Sequence, residues 1–505
     1  MPIEPFDMTA VYRDDAGIKH FADVPPSVVA MVRDSVDAAP DAEAIVELDG
    51  PRITYTELWD RAARVAGGLR ADGVGRGDRV AIRYGNGADW VYAFLGTLFA
   101  GGVAVPVNTR FTETEVEYVV TDSGASVVLG PDDGNLPDGA PYVDEGLGLA
   151  DLGAIFYTSG TTGFPKGAMV THENFVSNSE NSLRLRGIRD ASEQNRNLVS
   201  VPLFHVTGCI AQLLPTLKDR GCTVIMPTFD VQRFLRAIKE ERIKVVTTVP
   251  AIFWYALSQP NIGDVDLGGV EHATYGGAPI APSLVGTIKK AFGNARVGNG
   301  FGLSETSGVS TFLPHEYADT HADSVGFPIP TVDLRIDEPD PQTGVGEILI
   351  RGSNVVAGYW NKPEATAATF VDGWLHTGDL GRIDADGFTY VVDRAKDMIN
   401  RGGENVYCVE VENALAAAPG VFEVAVLGVP DEMMGEKVGA VLVPAPGRSL
   451  DVGEVLAFAR ERLADFKVPQ YVWLRSDALP RNPGGKVLKP VLRDNADWQP
   501  AGSTG

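Results

Sequence analysis

Cysteine is nearly missing from this chain: 505 residues contain three, Cys209, Cys222 and Cys408. They lie in apolar or strand-like contexts without metal spacing, which excludes a disulfide-stapled scaffold and points to buried free thiols in a reducing compartment. Positive charge is scarce as well, with 43 Lys and Arg against 67 Asp and Glu and a net charge of −24. That imbalance excludes nucleic acid or an anionic membrane as an obligate partner. It also makes each well-placed Lys or Arg informative, because a polyphosphate site must be locally basic against a repulsive field. Long apolar runs are absent too. The longest, Ala93 to Val107, is broken by Gly96, Gly101, Gly102 and Pro106, so no integral membrane association is expected. The amino terminus is polar and acidic, without a signal-peptide pattern, and a cytoplasmic enzyme is expected.

What is present is the composition of a globular protein, 44% hydrophobic over a length that calls for two or more domains. Residues 1–25 lack periodicity and read as a surface arm. Leu58, Ala62, Val65 and Leu69 recur at helical spacing, 79–82 reads as a strand, 88–99 as a helix and 103–107 as a strand. Thr112 with Glu115 forms a capping-box pattern before the next helix, and 126–129 follows as a strand. This alternation predicts doubly wound α/β layers with parallel strands. A short Gly/Pro/Asp-rich connection, 131–153, precedes a second α/β unit in which Asp230 caps a helix and 245–249 is a buried strand. From Thr331 short alternating strands predict a small β-rich subdomain. There Asp384-Ala-Asp-Gly387 reads as a hairpin turn, since the further ligands of a calcium loop are missing. Residues 395–505 form a compact α+β pattern large enough for its own core. The expected organisation is therefore a large domain, 1–394, followed by a small one, 395–505.

One stretch stands out chemically: Tyr157-Thr-Ser-Gly-Thr-Thr-Gly-Phe-Pro-Lys166-Gly167. Gly160, Gly163 and Gly167 permit backbone conformations in which consecutive N–H groups turn inward on an anion. Thr158, Ser159, Thr161 and Thr162 add hydroxyl donors, and Lys166 adds a charge. A polar hairpin loop is the plain alternative. The flanking apolar runs, 154–157 and 168–170, give a strand-turn-strand frame. A Walker loop would need Gly-Lys-Ser/Thr opening a helix, and here the lysine precedes the last glycine. The run resembles the phosphate loop of the adenylate-forming (AMP-binding) superfamily, which includes acyl-CoA synthetases, peptide-synthetase adenylation domains and luciferases. The resemblance covers nearly the whole chain.

That resemblance implies roles for further residues. Tyr275-Gly-Gly-Ala-Pro279 and Asn299-Gly-Phe-Gly-Leu-Ser-Glu305 match the family's adenine slot and acidic metal ligand. Gly277, Ala278 and Gly302 would line the slot, Phe301 would stack on adenine and Asn299 would bond its amino edge. Glu305 would hold the Mg²⁺ that bridges the phosphates, a hard cation that prefers carboxylate oxygen. Ser304 stands where the family often has Thr and keeps the hydroxyl. Asp379, closing Trp374-Leu-His-Thr-Gly-Asp379, would accept both ribose hydroxyls, natural for a carboxylate with two oxygens. Arg394 matches the ribose and phosphate arginine, Lys396 the interdomain hinge, and Gly402-Gly403 the loop lining the CoA pantetheine tunnel. Lys486, on the Pro/Gly-shaped loop 480–486, matches the catalytic lysine, whose ammonium offsets charge when two anions meet. Each of these alone has an ordinary reading as a turn residue or a solvated charge. Their order along one chain is what discriminates.

The acyl side is read from His205, Gly276 and Gly300. His205 in Pro202-Leu-Phe-His205 precedes an apolar helix expected to open at Gly208, and is either a core residue or, by the resemblance, the aromatic group beside the acyl carboxylate. Peptide-synthetase domains place an Asp nearby to pair with an amino group, so a neutral His speaks against an α-amino acid. Gly276 and Gly300 would leave the pocket open where larger side chains close it in aryl-specific relatives. The resemblance thus implies an acyl-CoA synthetase using ATP, Mg²⁺ and CoA on a medium- or long-chain fatty acid or an elongated aromatic one. A standalone adenylation enzyme that loads a carrier protein is the alternative, and a homodimer stays open.

Overall fold

The computed structural model describes residues 3–132, 134–158, 165–187, 194–278, 280–402, 404–445, 447–481 and 487–501. Ser159, Gly160, Thr161, Thr162 and Gly163, together with Gly403 and Lys486, lie outside the described residues.

The helix Tyr55–Ala71 illustrates how sequence builds the first unit. Glu57 N–H donates to the Thr54 hydroxyl at 3.2 Å and Thr54 N–H donates to Glu57 Oε2 at 2.8 Å, a reciprocal cap. Leu58, Ala62, Val65 and Leu69 form its buried stripe. Gly67 and Gly68 interrupt that helix at about 1 kcal/mol each relative to alanine. A crossing chain explains them, since a Cβ on Gly67 would lie 1.8 Å from Ala140 O. The short connection 131–153 therefore runs directly over the helix backbone, with Gly139 N–H donating to Arg64 O and Tyr142 N–H to Ala63 O. The expected cap at Thr112 and Glu115 is also present, over Glu113–Ser123.

Among the described residues the strands make two large sheets of the doubly wound kind. The first runs Val127–Leu129, Arg79–Ile82, Val103–Pro106, Leu152–Thr158 and Lys166–Thr171, parallel except for the last pair. The second centres on Cys222–Ile225, Arg196–Val199, Val245–Thr248, His272–Gly276 and Arg296–Leu303, all parallel. Glu43–Glu47 joins this second sheet beside Cys222–Ile225, with Ile45 opposite Thr223, although it precedes every strand of the first sheet in the chain. A smaller antiparallel sheet follows, built on Val332–Asp337, Gly346–Gly352, Trp374–Ile383 and Thr389–Arg394. Asp384 accepts from the N–H of Asp386 and Phe388, which makes 384–387 the hairpin turn expected of it. From Ile399 a separate sheet centred on Val421–Asp431, Gly435–Pro444 and Tyr471–Leu474 packs with helices Cys408–Ala416 and Val452–Arg460. Its core holds Val411, Leu415, Val438 and Leu456.

Two expectations change. The first residues, read as a surface arm without periodicity, contain a hairpin, Val11–Arg13 against Lys19–Phe21. Arg13 and Lys19 fasten it to Asp333 at 2.6 and 3.1 Å, partners that no local pattern could announce. The helix expected to open at Gly208 begins at Val206 and passes through a π-helical turn, Cys209–Leu213, into Leu214–Lys218. Pro215 has no N–H to return to the carbonyl of Ala211, four residues earlier, and that carbonyl accepts from Arg186 Nη2 at 3.2 Å. All three cysteines are buried free thiols. Among the described residues no helix is long and apolar enough to cross a membrane.

Candidate active site

The hairpin that carries the Gly/Ser/Thr run pairs Leu152–Thr158 with Lys166–Thr171, and places Thr158 opposite Lys166. Its second strand is held by the segment 356–362. Trp360 N–H donates to Gly167 O at 2.8 Å and Met169 N–H to Gly358 O at 2.9 Å. Asp122 tightens the same corner, accepting from the Tyr157 hydroxyl at 2.8 Å and pairing with Lys362 at 2.7 Å. Between these elements lies Tyr359, which the motifs did not indicate. The Lys166 ammonium sits 4.9 Å from the centre of its ring, and its hydroxyl donates to Glu305 Oε1 at 2.7 Å. Burial and the adjacent carboxylate hold the Tyr359 phenol far above its ordinary range, so it is a fixed donor to Glu305. Val356 N–H donates to Glu305 O at 2.9 Å, which ties the acid's backbone to the same segment. The signal available in sequence was an aromatic pair, Tyr359-Trp360, following Gly358 in a stretch without periodicity.

A cleft with about 680 Å³ of space, its open mouth included, lies along the second sheet and reaches Gly302 and Gly308, on either side of the Glu305 turn in the chain. The parallel pair His272–Gly276 and Arg296–Leu303 brings Gly276 opposite Gly300, and Gly277, Phe301 and Gly302 continue the wall. Val206 and Thr207 face them from the helix after His205. Asn299 is buried beside Tyr275 and donates to Ser324 O at 3.0 Å. Ser304 and Glu305 sit on the 3₁₀ turn Ser304–Thr306 at the end of that strand. On the small sheet Asp379 and Arg394 are cross-strand partners, with Arg394 Nε 2.6 Å from Asp379 Oδ1 and the carboxylate buried.

Comparison with known proteins fits this geometry. Residues 32–147 and 132–360 match the AMP-binding enzyme family, and residues 410–486 match the AMP-binding enzyme C-terminal domain. The chain belongs to the AMP-binding enzyme family. Among its relatives is the feruloyl-CoA synthase of an Amycolatopsis species, 40% identical over 90% of this chain and 96% of that one. A long-chain-fatty-acid–CoA ligase of Mycobacterium tuberculosis is 36% identical over 92% and 97%. Among solved structures, ATP-bound MatB from Rhodopseudomonas palustris superposes with a TM-score of 0.84 at 34% identity, covering 93% of this chain and 98% of that one. As a member of the family this chain is an AMP-forming acid–thiol ligase, an acyl-CoA ligase by class, which works with ATP, Mg²⁺ and CoA.

The residues present fit such ligands. Among the described residues no three acids, histidines or cysteines cluster as a metal cage. That suits Mg²⁺, which is commonly held by one or two carboxylates together with substrate phosphates. Glu305 has Oε1 committed to Tyr359, and among the described residues Oε2 receives no hydrogen bond. It is the oxygen available to the ion.

Of the three residues expected at the acyl pocket, Gly276 and Gly300 line the cleft and His205 does not. His205 stands at the N-cap position of the helix Val206–Gly208, without a side-chain cap bond, and is not part of the cleft wall, which its neighbours Val206 and Thr207 supply. Burial pushes its imidazole down to about 4 and leaves Nε2 without a partner among the described residues, so it is neutral at neutral pH. Gly276 lines the cleft, but its missing side chain is explained by the sheet: a Cβ there would meet Gly300 O at 2.2 Å. Gly300 differs, because a Cβ would find Val309 and Phe312 at 3.8 and 3.9 Å, ordinary contact distances. Gly402, with φ of +62°, closes a hairpin and its N–H donates to Met434 O at 2.7 Å. Lys396 is exposed in the turn that follows Arg394.

Proposed function

We propose that this ligase activates an elongated carboxylic acid, aliphatic or aromatic, as its acyl-adenylate and passes the acyl group to CoA. The observation that carries this reading is one continuous cleft whose wall runs from Val206 and Thr207 through Gly276 and Gly277 to Phe301 and Gly302. One part of that wall suits a planar base approaching glycine backbone, and the rest is largely apolar, with Val206, Ala211, Val309 and Phe312 beside a few threonines and Arg186. Gly300 leaves space where a side chain would shorten the pocket. The neutral His205 beside it gives an ammonium group no anionic partner, which supports an acid without an α-amino group.

In the first half-reaction a carboxylate oxygen bonds to the α-phosphorus of ATP while the bond to the β-phosphate oxygen breaks, and pyrophosphate leaves. Lys166 supplies positive charge at the phosphate-loop hairpin. Glu305, with its orientation fixed by Tyr359, would hold Mg²⁺, which would supply positive charge against that of the phosphates. Asp379 and Arg394 hold the ribose, and Lys486 supplies an ammonium where the two anions meet. In the second half-reaction the CoA thiolate attacks the acyl carbonyl, the C–O bond to AMP breaks and AMP leaves. The chain from 395 onward turns about Lys396 between the steps, exchanging Lys486 for the loop of Gly402 and Gly403. A cytoplasmic location belongs to the same proposal.

A pyrophosphate-release screen across fatty, aryl and amino acids, run with and without CoA, tests this reading. Release with elongated acids and CoA-dependent thioester formation is expected. Preference for acetate or an amino acid would overturn it, and thioester formation on a carrier protein but not on CoA would favour the carrier-loading alternative.

A further inference from the structure

Arg186 has no part in the chemistry above, yet its side chain stands in the wall of the cleft. It is the last residue of the helix His172–Arg186. The same side chain also borders a second, smaller recess with about 240 Å³ of space, its open mouth included, lined by His272, Arg296 and His315 among others. Leu185, Arg186, Thr274 and Phe312 belong to both walls, so the two cavities abut at the guanidinium.

Among the described residues the charge of Arg186 has no carboxylate within ion-pair distance. Nη2 donates to Ala211 O at 3.2 Å and to Thr247 Oγ1 at 3.4 Å, both neutral acceptors. Among the described residues neither cavity wall contains an Asp or Glu, in a chain that has 67 of them. Asp219 acts on the guanidinium only through space. Burial pushes Arg186 down to about 10, and it stays protonated at neutral pH. The other basic groups facing the second cavity do not supply an anion either. Arg296 is paired with Glu316 at 2.5 Å, His315 Nδ1 accepts from Val297 N–H at 3.0 Å, and burial holds His272 neutral. A half-buried cation whose hydrogen-bond acceptors among the described residues are all neutral is costly. The guanidinium has five N–H donors in a planar fork that matches a carboxylate, and the bond to Ala211 occupies only one edge of it.

We propose that Arg186 is a specificity-determining residue that receives a second carboxylate at the far end of the acyl group, so that the preferred substrate is an α,ω-dicarboxylic acid. The inference rests on the reading of the cleft as the acyl pocket, and it narrows the substrate class within that reading. A plain fatty acid would lay methylenes against an unpaired guanidinium. A distal carboxylate would neutralise it and leave the apolar wall of Val309 and Phe312 for the intervening chain.

The test is pyrophosphate release with ATP over matched pairs of straight-chain monocarboxylates and α,ω-dicarboxylates of increasing length, with the neutral half-amides as a third arm. At the best length the dicarboxylate should exceed its monocarboxylate partner by roughly a hundredfold in kcat/KM, the scale set by leaving a buried polar group unpaired. Arg186→Met should bring that ratio near one, and Arg186→Lys should keep a reduced preference, with thermal unfolding run on both variants. A half-amide turned over as well as the dicarboxylate would overturn the anionic assignment. A wild-type enzyme that prefers the monocarboxylates, or an Arg186→Met variant that weakens both members of each pair alike, would reduce Arg186 to a support for Ala211 and Thr247. Release with monocarboxylates alone sinks this inference and leaves the ligase reading standing; no release with any acid sinks both. Should Arg186→Met fail to fold, the wild-type ratio and Arg186→Lys decide.

Discussion

Gly276 and Gly300 face each other across two parallel strands and differ in what they permit. Gly276→Ala forces a Cβ against Gly300 O and should destabilise the protein by roughly 1–3 kcal/mol, the usual cost of overpacking. Gly300→Ile projects instead towards Val309 and Phe312, and should shorten the preferred acyl group while sparing short acids. Thermal unfolding of the first and the chain-length profile of the second check the pair, and an unchanged profile would mean that Gly300 serves only the strand. Tyr359 allows a sharper test. Tyr359→Phe removes the donor to Glu305 Oε1, and should raise the Mg²⁺ concentration for half-maximal pyrophosphate release and lower the rate by about tenfold or more. A Mg²⁺ titration indistinguishable from wild type would detach Tyr359 from the site. Lys166 and Glu305 could be picked out in sequence because each lies in a run whose composition has a chemical purpose. Tyr359 and Arg186 could not, because their meaning comes from partners far along the chain and no local spacing encodes such encounters.

At the scale of elements, the turn between the strand ending at Arg394 and the sheet beginning at Ile399 is where motion is proposed. Ala395 N–H donates to Gly378 O at 3.0 Å and Asp397 N–H to Arg394 O at 2.9 Å, which leaves Lys396 at the apex. Proline there fixes φ and restricts Ala395 as well. Lys396→Pro should still form acyl-adenylate but fail to discharge it to CoA. Lys486→Ala should do the converse, losing about two orders of magnitude in adenylation, or roughly 3 kcal/mol, while accepting supplied acyl-adenylate. Half-reactions assayed separately distinguish the two, and equal losses in both steps would end the two-state scheme. The rings of Trp254 and Phe422, 4.3 Å apart, are one contact such a rotation must break. The helices and strands themselves were largely legible. Caps at Thr112 and Asp230 and apolar stripes such as Val231, Phe234, Leu235 and Ile238 define their elements locally. What could not be read was the partnership of Glu43–Glu47 with Cys222–Ile225 and the hairpin clipped to Asp333, both decided by distant residues. The π turn at Cys209–Leu213 was hidden for a related reason, because Pro215 alone marks a disturbance without saying what geometry resolves it.

For the whole molecule, the buried histidines set an acid limit. His172, His205 and His272 are each pushed down to about 4 by burial, against an ordinary value near 6.5. The folded state thus favours the neutral ring and the unfolded state takes up the protons. The stability this provides is present above the ordinary value and is withdrawn as pH falls from about 6.5 towards 4. The unfolding temperature should drop through that window. His172→Asn, which removes one of the three titrations, should flatten the fall, and an unchanged slope would discount the histidines. The crossing of Glu43–Glu47 into the second sheet has a consequence of another kind, for the order in which a ribosome delivers the chain. Ile45 emerges early, and its partner Thr223 only after the entire first sheet has been made. Until then the nascent chain carries an apolar strand with an open edge, the kind of surface that invites pairing with another chain. The second sheet cannot close segment by segment during synthesis, so the assembly of this enzyme waits on a late, long-range pairing, which is an intrinsically slow event.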